Sequence, residues 1–170
     1  MKKLSIISII VLLLSACMPQ NTTNTANATE SSYSLGDSII LNDIEITVES
    51  YEISDKITLD HGSFSPSDDG NVFLVVHMAL KNSGKTAQTI FKLVTLNTDI
   101  RLAVIYDGEY EYISSNLLGY DDDLSNTNLN PLTSKTGVKV FEIASEVADS
   151  SKSLALKIYQ DKTEFIFDLK

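Results

Sequence analysis

The most suggestive polar cluster in this 170-residue sequence is an acidic run followed by small polar side chains. It consists of Asp121, Asp122, Asp123, Ser125, Asn126 and Asn128. Oxygens of these types are the ligands of Ca²⁺, and the spacing of Asp121, Asp123 and Ser125 matches the start of a calcium-binding loop. The match then ends, because Asn126 stands where the sharp turn needs glycine and Leu132 where a bidentate glutamate belongs. Two interpretations stay open, a calcium site that uses Asp121 and Asp123 and a solvated acidic loop.

The histidines and serines do not assemble a catalytic motif. His77 lies inside the most apolar stretch, which favours a hydrogen-bonded histidine on a sheet face over a metal ligand. His61 lies in a polar loop without another histidine or cysteine nearby. Neither Gly-x-Ser-x-Gly nor Ser-x-x-Lys occurs in a strand-to-helix context. We therefore predict that the protein is not an enzyme, with no catalytic residue and no cofactor.

Four tyrosines gather around one Asp-Gly turn and the loop that follows it, namely Tyr106, Tyr110, Tyr112 and Tyr120. Tyrosine supplies a large contact area in binding surfaces at a low entropy cost. If the strand face that carries Tyr110 and Tyr112 points inward, the same side chains belong to a sandwich core. The core interpretation is favoured, and the binding interpretation is retained beside it.

Two long irregular segments, residues 60–70 and 114–130, interrupt the apolar pattern. Binding residues concentrate in long loops, although mobile surface loops look the same in sequence. If the protein has a ligand, we expect its contacts on Tyr120, Asp121, Asp122 and Asp123.

Acidic side chains dominate the composition, with 23 Asp and Glu against 13 Lys and Arg and a formal net charge of −10. Nucleic-acid binding depends on clustered basic side chains, so a nucleic-acid partner is excluded. The single cysteine can form neither an intramolecular disulfide nor a cysteine-rich zinc site. A chain of this length has room for one domain.

The N-terminus predicts a secretion signal over residues 1–16. A basic start is followed by an apolar run over residues 4–16, which as a helix covers about 20 Å and is shorter than a bilayer core of about 30 Å. The run ends in Leu14-Ser15-Ala16-Cys17, which resembles the lipobox of bacterial lipoproteins. That resemblance implies a lipid anchor on Cys17, and the alternative is an ordinary signal peptide with an incidental cysteine. Residues 17–34 comprise Cys17 and a polar stretch that cannot offset its own ordering entropy, which predicts a flexible tether.

From residue 35 onward the apolar residues follow a period of two, which predicts β-strands. Ile44, Ile46 and Val48 alternate with polar residues, and the change of parity near Ser50 predicts a bulge. Residues 72–80 are apolar on both parities and predict a central strand.

Turn signals define the remaining elements. We expect a hairpin about Asp107-Gly108, a strand at 137–143, a C-terminal hairpin from 154–159 and 164–169, and short helical turns at 145–149 and 115–120. Seven to nine mostly antiparallel strands without a helix layer predict an all-β, two-sheet sandwich over residues 35–170.

The order of these signals resembles a known family. Its features are Leu35-Gly36-Asp37, Lys81-Asn82-Ser83-Gly84, Asp107-Gly108 with Tyr110, Leu129-Asn130-Pro131, Lys135-Thr136-Gly137-Val138 and Phe141-Glu142. They resemble the telokin-like, immunoglobulin-fold domain of unknown function found in lipoproteins of Gram-positive bacteria, over nearly all of residues 35–170. One departure is Leu132, which stands where that family has a glycine after the proline turn. The resemblance implies an immunoglobulin-like sandwich at the cell surface and supplies no catalytic residues.

Together these features predict a lipid-anchored protein on the extracellular face of the bacterial cell membrane. The domain is expected to bind a protein, a peptide or a cell-wall ligand without catalysis. Two alternatives remain, a structural or protective envelope lipoprotein without a specific ligand and a calcium-dependent binding module.

Overall fold

A computed structural model describes residues 32–94, 96 and 98–170. The predicted signal peptide, Cys17 and most of the predicted tether lie outside these residues. Ser32 and Tyr33, which belong to the predicted tether, form a strand ahead of the predicted boundary at Leu35. No helix in the described part of the chain has the length and apolarity to cross a membrane.

The described residues form thirteen strand segments and one short helix. The strands are β1 (Ser32–Tyr33), β2 (Ser38–Leu41), β3 (Ile44–Ser54), β4 (Ile57–Leu59), β5 (Gly62–Phe64), β6 (Asn71–Asn82), β7 (Gln88–Ile90), β8 (Arg101–Tyr106), β9 (Tyr110–Ser115), β10 (Thr127–Leu129), β11 (Ser134–Ala144), β12 (Leu154–Gln160) and β13 (Thr163–Asp168). The helix α1 spans Ser145–Asp149. The strand count exceeds the expected seven to nine because six segments have only two to four residues, too few to show a period in the sequence.

Nine strands form one continuous sheet in the order β1-β13-β12-β8-β9-β11-β6-β3-β2. All neighbours are antiparallel except β1 and β13. The expected two separate sheets are therefore wrong in detail, since one sheet curls so that its halves face each other across the core. The halves join between β9 and β11, where only two residue pairs are in register. Two small sheets, β4-β5 and β7-β10, complete the fold.

The main core lies between the two halves of the curled sheet. Its fully buried side chains include Ile44, Ile46, Val48, Leu74, Val76, Met78, Leu80, Phe141, Ile143, Leu156, Ile158 and Phe167. A smaller cluster covers the outer face of β6 and β11 and consists of Ile57, Phe73, Val75, Leu117, Val138 and Val140. Because β6 is buried on both faces over residues 72–76, that part of its apolar run shows no alternation of burial, as expected of a central strand.

Most of the predicted local features are confirmed. The register between β3 and β6 shifts between Val48 and Ser50, which is the predicted bulge. Asp107 and Gly108 both have positive φ, 54° and 71°, as a tight hairpin turn requires. The C-terminal hairpin and α1 also form where predicted. The predicted helical turn at 115–120 is wrong, because β9 continues to Ser115 and the chain then turns.

The sandwich has two ends, which the direction of β8 defines. β8 begins at Arg101 and ends at Tyr106, and β12 runs antiparallel to it. We call the side where β8 begins the Arg101 end and the opposite side the Tyr106 end. β1 starts beside Ile166 and runs parallel to β13 toward Asp168, so its N-terminus points toward the Arg101 end.

Candidate functional site

The acidic loop runs beside β11, on the edge opposite β6. Leu124 N donates to Val138 O at 2.9 Å and Val138 N to Asp122 O at 2.8 Å. Gly137 permits this approach, because a Cβ there would lie 2.8 Å from Leu124 Cδ2 and closer still to the Asp122 carbonyl oxygen. The loop is thus fixed by its backbone and sends the fully buried Leu124 into the core.

A buried lysine organises the inner side of this loop. Lys139 is 1% exposed, and its Nζ lies 3.2 Å from Asp123 Oδ1 and also donates to Ser125 Oγ. Asp123 Oδ1 further accepts from Ser125 N at 2.9 Å, and its Oδ2 accepts from Leu117 N at 2.9 Å. Burial lowers the pKa of Lys139, and the charge of Asp123 opposes that shift. Asp123 is therefore engaged with an internal cation rather than free for an external one.

The other predicted contact residues lie on the surface. Asp121 and Asp122 are exposed, and Tyr120 packs partly buried against the smaller cluster. Burial raises the pKa of Tyr120, and Asp122 adds to this effect. With Asp60 and His61 these side chains line a cleft of about 520 Å³, so the two long loops do meet. Across residues 32–94, 96 and 98–170, no three His, Cys, Asp or Glu side chains form a group that could hold a metal ion, and the calcium site stays a prediction.

The loop at 60–70 is attached to β11 by one carboxylate. Glu142 Oε1 accepts from Ser67 N at 2.8 Å, Ser67 Oγ at 2.7 Å, Asp68 N at 3.3 Å and Asn71 Nδ2 at 2.9 Å. The Asn71 and Ser67 side-chain hydrogen bonds are the main causes that lower the pKa of Glu142. This part of the predicted mobile loop is therefore held in place by polar contacts.

His77 differs from its predicted environment. It lies on the outer face of β6, its side chain is 40% exposed, and its Nε2 is 3.7 Å from Glu52 Oε1. It is a sheet-face histidine as predicted, but a half-exposed one. It lines a shallow cleft together with Tyr120 and Asp122 of the acidic loop.

Three of the four tyrosines line an open cleft of about 760 Å³ at the Tyr106 end, which we call the tyrosine cleft. Its lining residues are Tyr106, Tyr110, Tyr112, Glu146, Val147, Asp149, Ser150 and Lys152. Tyr106 and Tyr112 pack partly buried against the main core, whereas Tyr110 is 56% exposed. The favoured core interpretation is thus correct only for the inner side of the cluster.

Charges around the tyrosine cleft are unevenly balanced. Lys152 pairs with Asp107, whereas neither Glu146 nor Asp149 forms an ion pair within the described part of the chain. Burial raises the pKa of Tyr112, and Glu146 contributes to that shift. Aromatic rings beside carboxylates attract an amine or another cation through the ring faces and through charge.

A further cavity, which we call the arginine cavity, occupies about 340 Å³ at the Arg101 end. Its lining residues are Phe91, Lys92, Leu93, Ile100, Arg101, Leu102, Ile113, Ser114, Asn116, Lys139 and Tyr159. The Arg101 guanidinium carbon lies 4.5 Å from the centroid of the Tyr159 ring. The buried Nε of Arg101 has no hydrogen-bond partner among the described residues. Lys92, in contrast, pairs with Asp99 at 2.8 Å.

Sequence reasoning missed both Lys139 and Arg101. Alternation along 137–143 places Lys139 on the strand face that does not carry Val138 and Val140. In sequence this pattern predicts an outward-facing lysine. Arg101 is the only arginine of the chain, and that isolation was the one signal that could have marked it.

Comparison with known proteins gives a family match and several similar structures. The family model described as "Domain of unknown function (DUF4352)" matches residues 33–163. The uncharacterized protein YxkC of Bacillus subtilis (strain 168) is 27% identical over 128 residues, which cover 69% of this chain and 66% of that relative. The chain therefore spans slightly less than two thirds of the relative's length.

Two solved structures share the fold. An uncharacterized β-sandwich protein from Clostridium difficile 630 has a TM-score of 0.61 at 18% identity, covering 83% of this chain and 96% of its own. A Bacillus subtilis protein described as a candidate lipoprotein (ycdA) has a TM-score of 0.51 at 18% identity, covering 82% of this chain and 39% of its own. At these identities the likeness establishes the β-sandwich fold alone.

Proposed function

The chain belongs to the DUF4352 family, and on that premise we propose that it is a lipid-anchored surface protein whose tyrosine cleft binds an amine-bearing peptide or wall component. Binding involves no catalysis. The observation that carries this proposal is the exposed ring of Tyr110 beside the carboxylates of Glu146 and Asp149, which form no ion pair with any described residue.

The anchor rests on Cys17. The sequence Leu14-Ser15-Ala16-Cys17 ends an apolar run in the manner of a lipobox, and Cys17 is the only cysteine of the chain. Stable membrane attachment needs two or more acyl chains, which lipoprotein processing supplies at one cysteine. The candidate lipoprotein among the similar structures supports the same localisation.

The tyrosine cleft has the composition of a binding surface. The ring centroids of Tyr106 and Tyr110 are 5.9 Å apart, and Tyr106 Oη donates to Ser150 Oγ at 2.9 Å. This hydrogen bond fixes one ring, so less conformational entropy is lost when a ligand binds. The net negative charge of the lining favours a cationic group over an anionic one.

The position of the cleft agrees with an anchored protein. The N-terminus of β1 points toward the Arg101 end, whereas the cleft lies at the Tyr106 end. A chain held at Cys17 then presents the cleft on the side away from its anchor, where a peptide or wall ligand is accessible.

Binding is tested with the processed, lipidated protein and the peptide trilysine. We expect Tyr110→Ala and Glu146→Gln each to weaken binding about tenfold, as for an aromatic or charged contact worth about 1.4 kcal/mol. Ile40→Ala is the matched control, since it removes another exposed apolar side chain from a strand. Equal affinities of all four proteins would show that only the overall negative charge attracts the peptide, and would refute the cleft.

Anchoring has a separate test. Cys17→Ser is expected to abolish membrane retention and to leave either unprocessed precursor or a released form. A Cys17→Ser protein that is still acylated and stays on the membrane after a salt wash would refute the lipid anchor.

A further inference from the structure

The Arg101 end carries apolar side chains that the described residues leave exposed. In the segment between β7 and β8, Leu93, Val94 and Leu96 are 49%, 84% and 67% exposed. Large apolar side chains clustered in one exposed segment mark an interaction site more often than isolated ones do. The same segment contributes Leu93 and Lys92 to the arginine cavity.

Arg101 gives this end a cation that other side chains do not neutralise fully. No carboxylate of the described residues lies within ion-pair distance of its guanidinium, although Asp99 is close enough for Arg101 to contribute to lowering the pKa of that carboxyl. The guanidinium stacks on Tyr159, whose ring also has Lys157 Nζ at 4.8 Å from its centroid. A planar guanidinium held by an aromatic ring is suited to bidentate binding of a phosphate group.

The direction of β1 connects this end with the lipid anchor. The N-terminus of β1 points toward the Arg101 end, and only fifteen positions separate Ser32 from Cys17. The coil that their composition predicts has an end-to-end distance of about 5.5 Å × √15, roughly 21 Å. An eleven-residue strand such as β11 spans about 36 Å. The predicted linker is therefore shorter than the domain, and the Arg101 end is the one that it brings to the membrane.

We propose that the Arg101 end rests on the outer leaflet, with Leu93, Val94 and Leu96 among the acyl chains and the phosphate of an anionic phospholipid in the arginine cavity. This inference rests on the lipid anchor of the proposed function. Apolar side chains flanked by basic ones are the combination that interfacial binding requires. Since acidic side chains outnumber basic ones in the sequence by 23 to 13, a local cationic cavity is what allows the protein to approach an anionic surface.

Site-specific labels test the orientation. Because lipidation occupies the only native cysteine, a cysteine introduced by Val94→Cys or by Tyr110→Cys is the single free thiol of the lipidated protein. Each is labelled with an environment-sensitive dye and reconstituted in phosphatidylglycerol and phosphatidylcholine vesicles. We expect a blue shift and quenching by lipid-attached quenchers for the label at 94, and neither for the label at 110. Equal signals, or quenching at 110 alone, would overturn the proposal.

The role of the cavity is tested in the Val94→Cys background. Arg101→Gln is expected to reduce the phosphatidylglycerol-dependent shift at least fivefold. Lys162→Gln, which removes a charge from the exposed β12-β13 turn at the same end but does not line the cavity, is expected to leave it unchanged. Equal losses in both variants would reduce the effect to general electrostatics and overturn the assignment of the cavity. Glycerol phosphate that reproduces the Arg101-dependent effect without vesicles would identify a small-anion site instead.

Failure of the anchor and failure of the orientation give different results. If the protein carries no lipid on Cys17, no variant floats with the vesicles, and both the anchor and the orientation are refuted. If the protein floats while the label at 94 stays unshifted, the anchor holds and the proposed orientation alone is wrong.

Discussion

Replacing Asp123 by asparagine removes the anionic partner of an almost fully buried ammonium. Lys139 Nζ lies 3.2 Å from Asp123 Oδ1, which at an effective dielectric constant of about 20 corresponds to about 5 kcal/mol of attraction. Desolvation of both charges offsets much of this, but removing one partner leaves the other charge buried. Such a loss costs about 3–5 kcal/mol. We expect that cost for Asp123→Asn, measured by urea unfolding at neutral pH.

Replacing the other partner, Lys139, should cost less folding free energy. In Lys139→Met the carboxylate of Asp123 keeps the N–H groups of Leu117 and Ser125 and the Ser125 hydroxyl as donors. In Asp123→Asn the lysine keeps only Ser125 Oγ as a hydrogen-bond acceptor. The NH₂ group of the new asparagine also faces a group that donated a hydrogen bond to Asp123, so that two donors meet. We therefore expect Lys139→Met to lower the free energy of unfolding by about 1–2 kcal/mol, less than Asp123→Asn does.

The pH dependence of stability shows whether the buried charge of Lys139 causes the destabilisation. Burial already lowers the pKa of Lys139, and loss of the Asp123 charge lowers it further. Between that folded-state pKa and the ordinary value of about 10.4, the unfolded chain holds a proton that the folded chain lacks, so stability rises with pH. The double variant Lys139→Met/Asp123→Asn has no lysine at this position and serves as the reference. Relative to it, the loss in free energy of unfolding of Asp123→Asn should therefore shrink with rising pH. Equal costs of the two single variants, or a deficit that does not change with pH, would refute this reasoning.

Four further experiments test other parts of the structure. Gly137→Ala should destabilise the domain by about 2 kcal/mol, because its Cβ would overlap the acidic loop, whereas Gly70→Ala, with no atom within 4 Å, should change stability by less than about 0.5 kcal/mol. Glu142→Gln should cost about 1 kcal/mol at neutral pH. Since the pKa of Glu142 is lowered, that difference should persist above about pH 4.3 and disappear as the pH falls through the folded-state value. Val76→Asp should prevent cooperative folding, because the fully buried site would take up a charge at a cost above a few kcal/mol. Millimolar calcium should leave the melting temperature unchanged, because Asp123 is already bound to Lys139.

A specific result would refute each of these four predictions. Equal stability of the two glycine variants would mean that the loop does not lie against β11 as described. A Glu142→Gln difference that persists in acid would assign the effect to shape rather than charge. Soluble, cooperatively folding Val76→Asp protein would place β6 outside the core. A calcium-induced rise in melting temperature that Asp121→Asn abolishes would establish the calcium site.

Local signals in the sequence were sufficient for the hairpins and the bulge. Asp107-Gly108 specifies its turn through positive φ at two adjacent positions, and the parity change near Ser50 reports the bulge directly. Residues 72–80 identify a central strand because they are apolar on both parities, and residues 72–76 are buried on both faces. These features depend on neighbours in sequence, which is why they could be predicted without an alignment.

Features that depend on distant segments could not be predicted. Lys139 alternates with two valines and reads as exposed, but a loop from 14 residues upstream supplies its partner Ser125. The joining of the two half-sheets at Ser114 and Ser115 likewise depends on pairing with Val140 and Phe141, which no periodicity encodes. The tyrosine cleft was located in part, since the tyrosines were singled out but the carboxylates of α1 were not.

The two-residue strand β1 has a consequence for self-association. It covers the edge of β13, and the Tyr33 ring lies 5.7 Å from that of Phe165 and 5.2 Å from that of Phe167. A chain shortened to residue 35, the boundary that the sequence pattern favoured, loses this cover and bares an unpaired strand edge rich in phenylalanine. Open edges of that kind pair with the same edge of another molecule. The shortened domain should therefore form dimers or aggregates, and a recombinant fragment is better started before Ser32.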